Sequence, residues 1–165
     1  MTVEKIYDIF KIVKTKEEIT THLKKFFKEK ASCYKVEDAF LYGSWARGFP
    51  REDSDIDIAV VLSDEISLQD EIFETITTIS LSLTDEIGLD VNVIPIRCDF
   101  NKPMLYYNAI VLGEPVFIKD FNKYIALRNE AIYHMEDFSI FGLNWYLNIA
   151  RKNLEELKNA RISIR

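Results

Sequence analysis

The stretch Tyr42–Leu62, which reads YGSWARGFPREDSDIDIAVVL, decides the fold. Its second half, Ile56–Leu62, is apolar and rich in β-branched residues, which predicts a central strand covered on both faces. Alternate residues of a strand share a face. Asp55 and Asp57 are therefore predicted to project together from one side of this strand, and the isoleucine after each of them projects from the other.

The two carboxylates are the first candidate site. At about 5 Å apart they repel by roughly 3 kcal/mol at an effective dielectric constant of about 20, which is a large fraction of a small domain's stability. A divalent cation reverses the sign of this interaction, and hard carboxylate oxygens suit Mg²⁺ or Mn²⁺. Asp55 and Asp57 are therefore predicted metal ligands.

The first half of the stretch is typical of a phosphate-binding turn. The short apolar run Ala39–Tyr42 predicts a strand that leads into a tight turn at Gly43. Glycine permits a backbone conformation closed to other residues and lets a phosphate approach closely. Ser44 offers a hydroxyl group and is predicted to start a short helix with free N–H groups, and Arg47 adds a fixed positive charge suited to phosphate geometry. Gly43, Ser44 and Arg47 are the predicted nucleotide-binding residues.

A third carboxylate, Asp90, begins the next predicted strand, Asp90–Ile96, between apolar neighbours. If this strand pairs beside the Asp55/Asp57 strand, the Asp90 carboxylate can face the same metal ions. It would then hold one ion and help to deprotonate an attacking hydroxyl group. Asp85 and Glu86 belong to the preceding helix, where solvated charges are expected.

The rest of the chain predicts an α/β core followed by helices, without an internal repeat or a long Gly/Ser linker. Amphipathic spacing predicts helices from Ile6 and from Thr15, the second opened by a capping box of Thr15 and Glu18. Another capping box is predicted at Ser67 and Asp70, and Gly88 is predicted to end the helix that follows it.

The second half of the core is predicted from the same signals. Pro103 opens a predicted helix to Leu112, and Val116–Ile118 predicts a short strand. From Phe121 onward the pattern predicts two helices around a break near residues 138–142. The predicted division is 1–36 for N-terminal helices packed on the core, 37–119 for the core, and 120–165 for a helical appendage within one structural domain.

Composition limits the classes of function. The 165 residues are 48% apolar and 29% charged, which indicates a folded domain. The net charge of −6 and the pI near 5.0 disfavour nucleic acid as a partner, since that function usually needs a basic field. Cys33 and Cys98 form no CxxC pair and are interpreted as reduced thiols. With no signal-peptide pattern or membrane-spanning run, a cytoplasmic location is expected.

Gly43-Ser44, ten intervening residues and Asp55-x-Asp57 together form a pattern that resembles the signature of the DNA polymerase β-like nucleotidyltransferases. The fuller string GSWARG…SDIDI is similar to the minimal nucleotidyltransferase (MNT) branch, which includes MntA-like antitoxins. The resemblance covers residues 39–96 well and 104–118 more loosely. It implies an α/β (α+β) fold, in which a small mixed sheet is flanked by helices and a helical C-terminal appendage follows.

The resemblance also implies an activity, the transfer of a nucleoside monophosphate from an NTP, usually ATP, with release of pyrophosphate. Gly43 and Ser44 would bind the triphosphate. Asp55 and Asp57 would hold two Mg²⁺ ions, with Mn²⁺ as a substitute, and Asp90 would hold the ion near the acceptor.

The identity of the AMP acceptor is predicted only by analogy with other minimal nucleotidyltransferases. The chain is too short for a polymerase's thumb and fingers, and minimal nucleotidyltransferases are often antitoxins paired with a HEPN-type RNase toxin. Some of them AMPylate a toxin tyrosine, which implies a protein-AMPylating antitoxin with a HEPN-type partner. Two alternatives stay open: a small-molecule nucleotidyltransferase of the aminoglycoside type, and a catalytically silent module that neutralises a partner by docking.

Two features of the C-terminal helices remain. Arg128 and, after five intervening residues, His134 resemble the HEPN ribonuclease motif, but such a pair arises readily on an ordinary helix, and that is the interpretation adopted. The aromatic cluster of Phe138, Phe141, Trp145 and Tyr146 predicts packing in the core or in a helix hairpin. The alternative for this cluster is a partner surface or a homo-oligomer contact through the C-terminal helices.

Overall fold

The structure, a computed structural model, describes residues 15–51, 53–66 and 68–162, with side chains as far as residue 154. A four-stranded mixed sheet lies between two groups of helices. Its elements are, in chain order, α1 Lys16–Lys30, β1 Val36–Tyr42, α2 Gly43–Arg47, β2 Ile56–Leu62, α3 Gln69–Ile87, β3 Val91–Pro95, α4 Pro103–Ile110, β4 Glu114–Ile118 and α5 Phe121–Ile162. The predicted helix from Ile6 and the predicted cap at Ser67 lie outside the described residues.

The sheet has the order β3-β2-β1-β4 and confirms the predicted fold class. Strand β1 pairs antiparallel with both β2 and β4, whereas β2 and β3 are parallel and joined through α3. Strand β2 is therefore an inner strand, as its apolar run predicts. Strand β3 is at an edge and ends at Pro95, where proline's missing N–H removes no ladder hydrogen bond.

Two apolar cores cover the two faces of the sheet. On one face, Ile56 and Ile58 of β2 are fully buried among side chains of α1 and α3. On the other face, Ala59 of β2 is buried with Phe40 of β1 beneath helices α4 and α5. The alternation confirms the predicted parity of β2, since Asp55 and Asp57 share their side of the strand with Ala59.

Helix ends follow their sequence signals. The Thr15 side chain accepts a hydrogen bond from the Glu18 N–H, and the Glu18 carboxylate accepts one from the Thr15 N–H, which confirms the predicted capping box. Gly88 ends α3 in the left-handed conformation, with φ of 73°. This residue sets the start of the loop that leads to Asp90 and β3.

The C-terminal region differs from the prediction. Residues from Phe121 to Ile162 form one continuous helix, without the predicted break near residues 138–142. Gly142 lies within this helix, and a Cβ added to it would meet nothing within 4 Å. The helix continues through Gly142 because a glycine in the middle of a helix costs only about 1 kcal/mol. The predicted core or hairpin packing of the aromatic cluster is therefore wrong. Phe141 and Tyr146 are 71% and 68% exposed.

Candidate active site

The end of β1 and the start of β2 bring the predicted glycine turn and one predicted carboxylate together. Gly43 begins α2 with φ of 76°, in the left-handed region that favours glycine. Its Cα faces the Asp57 side chain so closely that an added Cβ would overlap a carboxylate oxygen and lie 3.2 Å from the Asp57 Cγ. The turn therefore needs glycine for both conformation and space, and the contact places the start of α2 beside this carboxylate.

A row of side chains crosses three strands at this position. Tyr42 of β1 pairs with Asp57 of β2, and Asp57 pairs with Asn92 of β3. The Asn92 amide lies 3.4 Å from the Asp57 Oδ1 and donates a hydrogen bond to it. Sequence reasoning missed Tyr42 and Asn92 as members of the site. The alternation of residues along a strand shows that Tyr42 shares a face with Phe40, and Asn92 with Asp90. The sequence does not show the strand register that aligns Tyr42 and Asn92 with Asp57.

Burial and charge both act on Asp57. Partial burial raises the pKa of the Asp57 carboxyl, the nearby charge of Asp55 raises it further, and the hydrogen bond from Asn92 opposes both effects. Burial and the charge of Asp57 raise the pKa of Tyr42 to about 12, so this phenol stays protonated at neutral pH. Asp57 is therefore a half-buried carboxylate whose ionised form lacks a cationic counter-charge among its nearest described neighbours, Tyr42, Asn92 and Asp55.

The pair of Asp55 and Asp57 fits a divalent cation. Both offer hard oxygen ligands from one side of β2, and their mutual repulsion is the condition that a bound cation relieves. Because Gly43 lacks a Cβ, the Asp57 carboxylate lies directly against the glycine turn. These two residues would hold the metal.

Asp90 lies differently from its prediction. It immediately precedes β3, its carbonyl accepts a hydrogen bond from the Ile56 N–H at 2.8 Å, and its side chain is exposed and not set among apolar groups. The strand register continues so that Asp90 lies beside Asp55. Within the described ranges, no three His, Cys, Asp or Glu side chains come close enough together to form a metal site. Asp90 as a third ligand stays a prediction.

Two of the three predicted phosphate-binding residues, Ser44 and Arg47, line a surface depression of about 390 Å³ together with Phe49, Arg51 and Ser54. Trp45 fixes its wall, since the buried indole donates a hydrogen bond to the Ser54 carbonyl at 3.1 Å.

Two arginines give the depression positive charge. Arg47 is exposed and donates to the Gly43 carbonyl at 3.2 Å, which holds its guanidinium beside the glycine turn. Arg51 lies on the same depression. Phe49, which sequence reasoning did not select, is 84% exposed beside them.

Arg128 and His134 have structural contacts. The Arg128 guanidinium donates to the carbonyls of Ile110 and Val111, both at 3.2 Å, and so caps the end of α4. The His134 ring stacks on Phe100 with centroids 4.7 Å apart. These contacts agree with the interpretation of the pair as part of an ordinary helix.

A mixed sheet that sets a glycine turn against paired carboxylates is the arrangement expected of a nucleotidyltransferase. The family described as "Polymerase beta, Nucleotidyltransferase" matches residues 21–122, more than half of the chain. The chain therefore belongs to this family, and the enzyme class predicted from Gly43-Ser44 and Asp55-x-Asp57 is confirmed. Among curated proteins, no sequence matches this chain.

Several solved structures share the fold. A crystal structure of the toxin–antitoxin MntA–HepT has a TM-score of 0.56 and 15% identity, over 81% of this chain and 97% of that chain. A toxin–antitoxin structure with AMP-PNP has a TM-score of 0.60 and 16% identity, over 76% and 97%. A tri-AMPylated Shewanella oneidensis HEPN toxin in complex with MNT antitoxin has a TM-score of 0.57 and 14% identity, over 79% and 98%. At these identities the likeness shows the fold.

No helix in the described part of the chain is both long enough and apolar enough to cross a membrane.

The two cysteines, Cys33 and Cys98, are exposed and unpaired with each other, in agreement with their interpretation as free thiols.

Proposed function

We propose that this chain transfers AMP from ATP to a hydroxyl group and releases pyrophosphate. The observation that carries the proposal is the contact between Gly43 and the Asp57 carboxylate at the start of α2. A triphosphate held at the Gly43-Ser44 turn meets the carboxylate pair directly. Two Mg²⁺ ions bound there would neutralise phosphate charge and polarise the reacting phosphoryl group.

The chain's own residues have separate roles in this proposal. Ser44 and the first N–H groups of α2 bind the triphosphate, and Arg47 compensates its charge from the same depression. Asp55 and Asp57 hold the metal ions. Asp90, which immediately precedes β3, serves the acceptor side.

The reaction balances as a simple substitution. The acceptor hydroxyl oxygen forms a bond to the α-phosphorus, and the bond from that phosphorus to the oxygen bridging to the β-phosphate breaks. The hydroxyl proton passes to a carboxylate, for which Asp90 is the candidate, and pyrophosphate leaves.

The proposed acceptor is a hydroxyl group of a HEPN-type toxin, which makes the chain a protein-AMPylating antitoxin. Two observations support it. The three similar solved structures described above are toxin–antitoxin structures, and one of them contains a tri-AMPylated HEPN toxin. The chain's net charge of −6 disfavours a long nucleic acid as acceptor.

The acceptor can be identified with α-³²P-labelled ATP and Mg²⁺. The purified chain is incubated with the proteins encoded on either side of its gene, and products are separated by gel and thin-layer chromatography. Label on a HEPN-type protein, identified by mass spectrometry as AMP on a hydroxyl side chain, is the expected result. Label on a small molecule from a metabolite extract would show that the acceptor is a small molecule and not a protein. Neutralisation of the toxin without any label would assign a docking function instead.

A further inference from the structure

The distal part of α5 leaves the folded core. Tyr124 and Ala131 in its proximal part are buried, and His134 stacks on Phe100. From Glu136 to Leu154 every side-chain position is exposed except Gly142, which is half-buried. The helix continues to Ile162. At 1.5 Å per residue it extends about 40 Å beyond its last contacts with the core.

This distal helix exposes apolar side chains in two stripes on opposite sides. The aromatic stripe contains Phe138, Phe141, Trp145 and Ile149. The aliphatic stripe contains Ile140, Leu143, Leu147 and Leu154, which are 62%, 62%, 47% and 58% exposed. A surface helix normally has one apolar side, and an apolar patch that is rimmed by polar residues marks an interaction site.

The aliphatic stripe has the spacing of a coiled-coil seam. Ile140, Leu143, Leu147, Ala150 and Leu154 are separated by three, four, three and four residues, and the sequence repeats the interval of three at Leu157. This is the a/d pattern of a heptad repeat, in which each side chain inserts between residues of a second helix. The stripe is therefore shaped for another helix of matching period.

We propose that a second copy of this chain covers the aliphatic stripe, with the two distal helices antiparallel about a twofold axis. In this register Leu143 packs on the partner's Leu147, and the larger Ile140 packs on the partner's Ala150. Each contact occurs twice because a twofold interface uses the same surface on both copies. The proposal is independent of the nucleotidyl transfer proposed above.

Charge favours the antiparallel orientation. Asp137 and Arg151 are both exposed and occupy the same heptad position beside the seam, at opposite ends of the stripe. An antiparallel pair brings Asp137 near the partner's Arg151 twice. A parallel pair would instead bring equal charges to the same level, and it would place both folded cores at the same end of the helices. Opposite charges beside the seam set partner choice and orientation.

The oligomeric state of the purified chain tests this proposal. Analytical ultracentrifugation between about 1 and 100 μM is expected to show a reversible dimer. The double variant Leu143→Glu/Leu147→Glu is expected to raise the dimer Kd by more than about 100-fold, because it places four carboxylates in the seam. Circular dichroism of each variant checks that the helix and the core remain folded.

The opposite stripe provides a matched control. Phe141→Ser/Trp145→Ser removes side chains of similar exposure, 71% and 53%, and is expected to leave the Kd within about threefold. A monomeric wild-type chain at about 100 μM would overturn the proposal. So would a dimer that survives the glutamate substitutions, or one that is lost in the serine control.

Charge reversal tests the orientation. Asp137→Arg alone and Arg151→Asp alone are each expected to raise the dimer Kd by about tenfold, since each brings like charges together in two places. The combined variant is expected to return the Kd to within about threefold of the wild type. Absence of this rescue would overturn the antiparallel arrangement. A wild-type monomer that forms a complex only with a neighbouring gene's product would assign the stripe to that partner.

Discussion

Gly43→Ala is expected to impair AMP transfer and also to lower the free energy of unfolding. The Gly43 φ of 76° strains any residue with a Cβ, at a cost of about 1–2 kcal/mol. The new methyl group would also overlap the Asp57 carboxylate and lie 3.2 and 3.3 Å from its Cγ and Cβ. Either the carboxylate or the start of α2 must therefore move.

The magnitude follows from the displacement. Relieving the overlap requires a shift on the order of 1 Å in a catalytic contact, which costs about 100-fold in rate. The loss in folding free energy is expected to be about 2–5 kcal/mol, the sum of the backbone strain and the overpacking.

Gly48→Ala is the matched control for this prediction. Gly48 ends the same short helix with φ of 80°, yet an added Cβ there meets nothing within 4 Å. It should lose the same 1–2 kcal/mol of backbone strain but keep its rate of AMP transfer within about threefold. Urea denaturation and a pyrophosphate-release assay with Mg²⁺ and ATP measure the two effects. Equal losses of activity in the two variants would refute the role of the Gly43–Asp57 contact.

Two further predictions concern stability. Burial raises the pKa of Asp38 from 3.8 to about 6. At about 1.4 kcal/mol per pKa unit, ionisation of Asp38 in the folded state costs up to about 3 kcal/mol. The free energy of unfolding should therefore fall as pH rises from about 4 to 6. Asp38→Asn should therefore be more stable than the wild type at pH 8 and gain little at pH 4.5; urea titrations giving the same difference at both pH values would contradict this. Arg128→Met should lose about 1–3 kcal/mol by leaving the carbonyls of Ile110 and Val111 without their donor. Because Arg128 caps a helix, the wild-type chain and Arg128→Met should both fail to cleave RNA in a gel assay. Cleavage that depends on Arg128 would instead support the resemblance of Arg128 and His134 to the HEPN ribonuclease motif.

The sequence predicted the elements of the fold whose local signals agree with their packing. Ile56–Leu62 is a strand at the predicted bounds, because an inner strand needs apolar residues on both faces. Gly88 ends α3 as predicted, because glycine adopts the left-handed conformation at little cost. The parity of Asp55 and Asp57 followed from the period of a strand.

Register and exposure could not be read from the sequence. Parity placed Asp90 and Asn92 on one face of β3, but only the pairing of β2 with β3 shows that Asn92 lies beside Asp57. The aromatic residues after Phe138 have the composition of a core, and composition alone does not show whether a second helix returns to cover them. The single helix α5 has no such return, so these side chains are exposed.

Asp57→Asn tests most directly whether the carboxylate pair beside the Gly43 turn transfers AMP. Pyrophosphate release and incorporation of α-³²P label are measured with Mg²⁺, ATP and the acceptor, for the wild type, Asp57→Asn and the exposed control Asp64→Asn. The proposed AMP transfer predicts equal amounts of pyrophosphate and transferred AMP for the wild type and for Asp64→Asn, and a loss of at least about 1,000-fold for Asp57→Asn in a folded protein. Full activity of Asp57→Asn would contradict it.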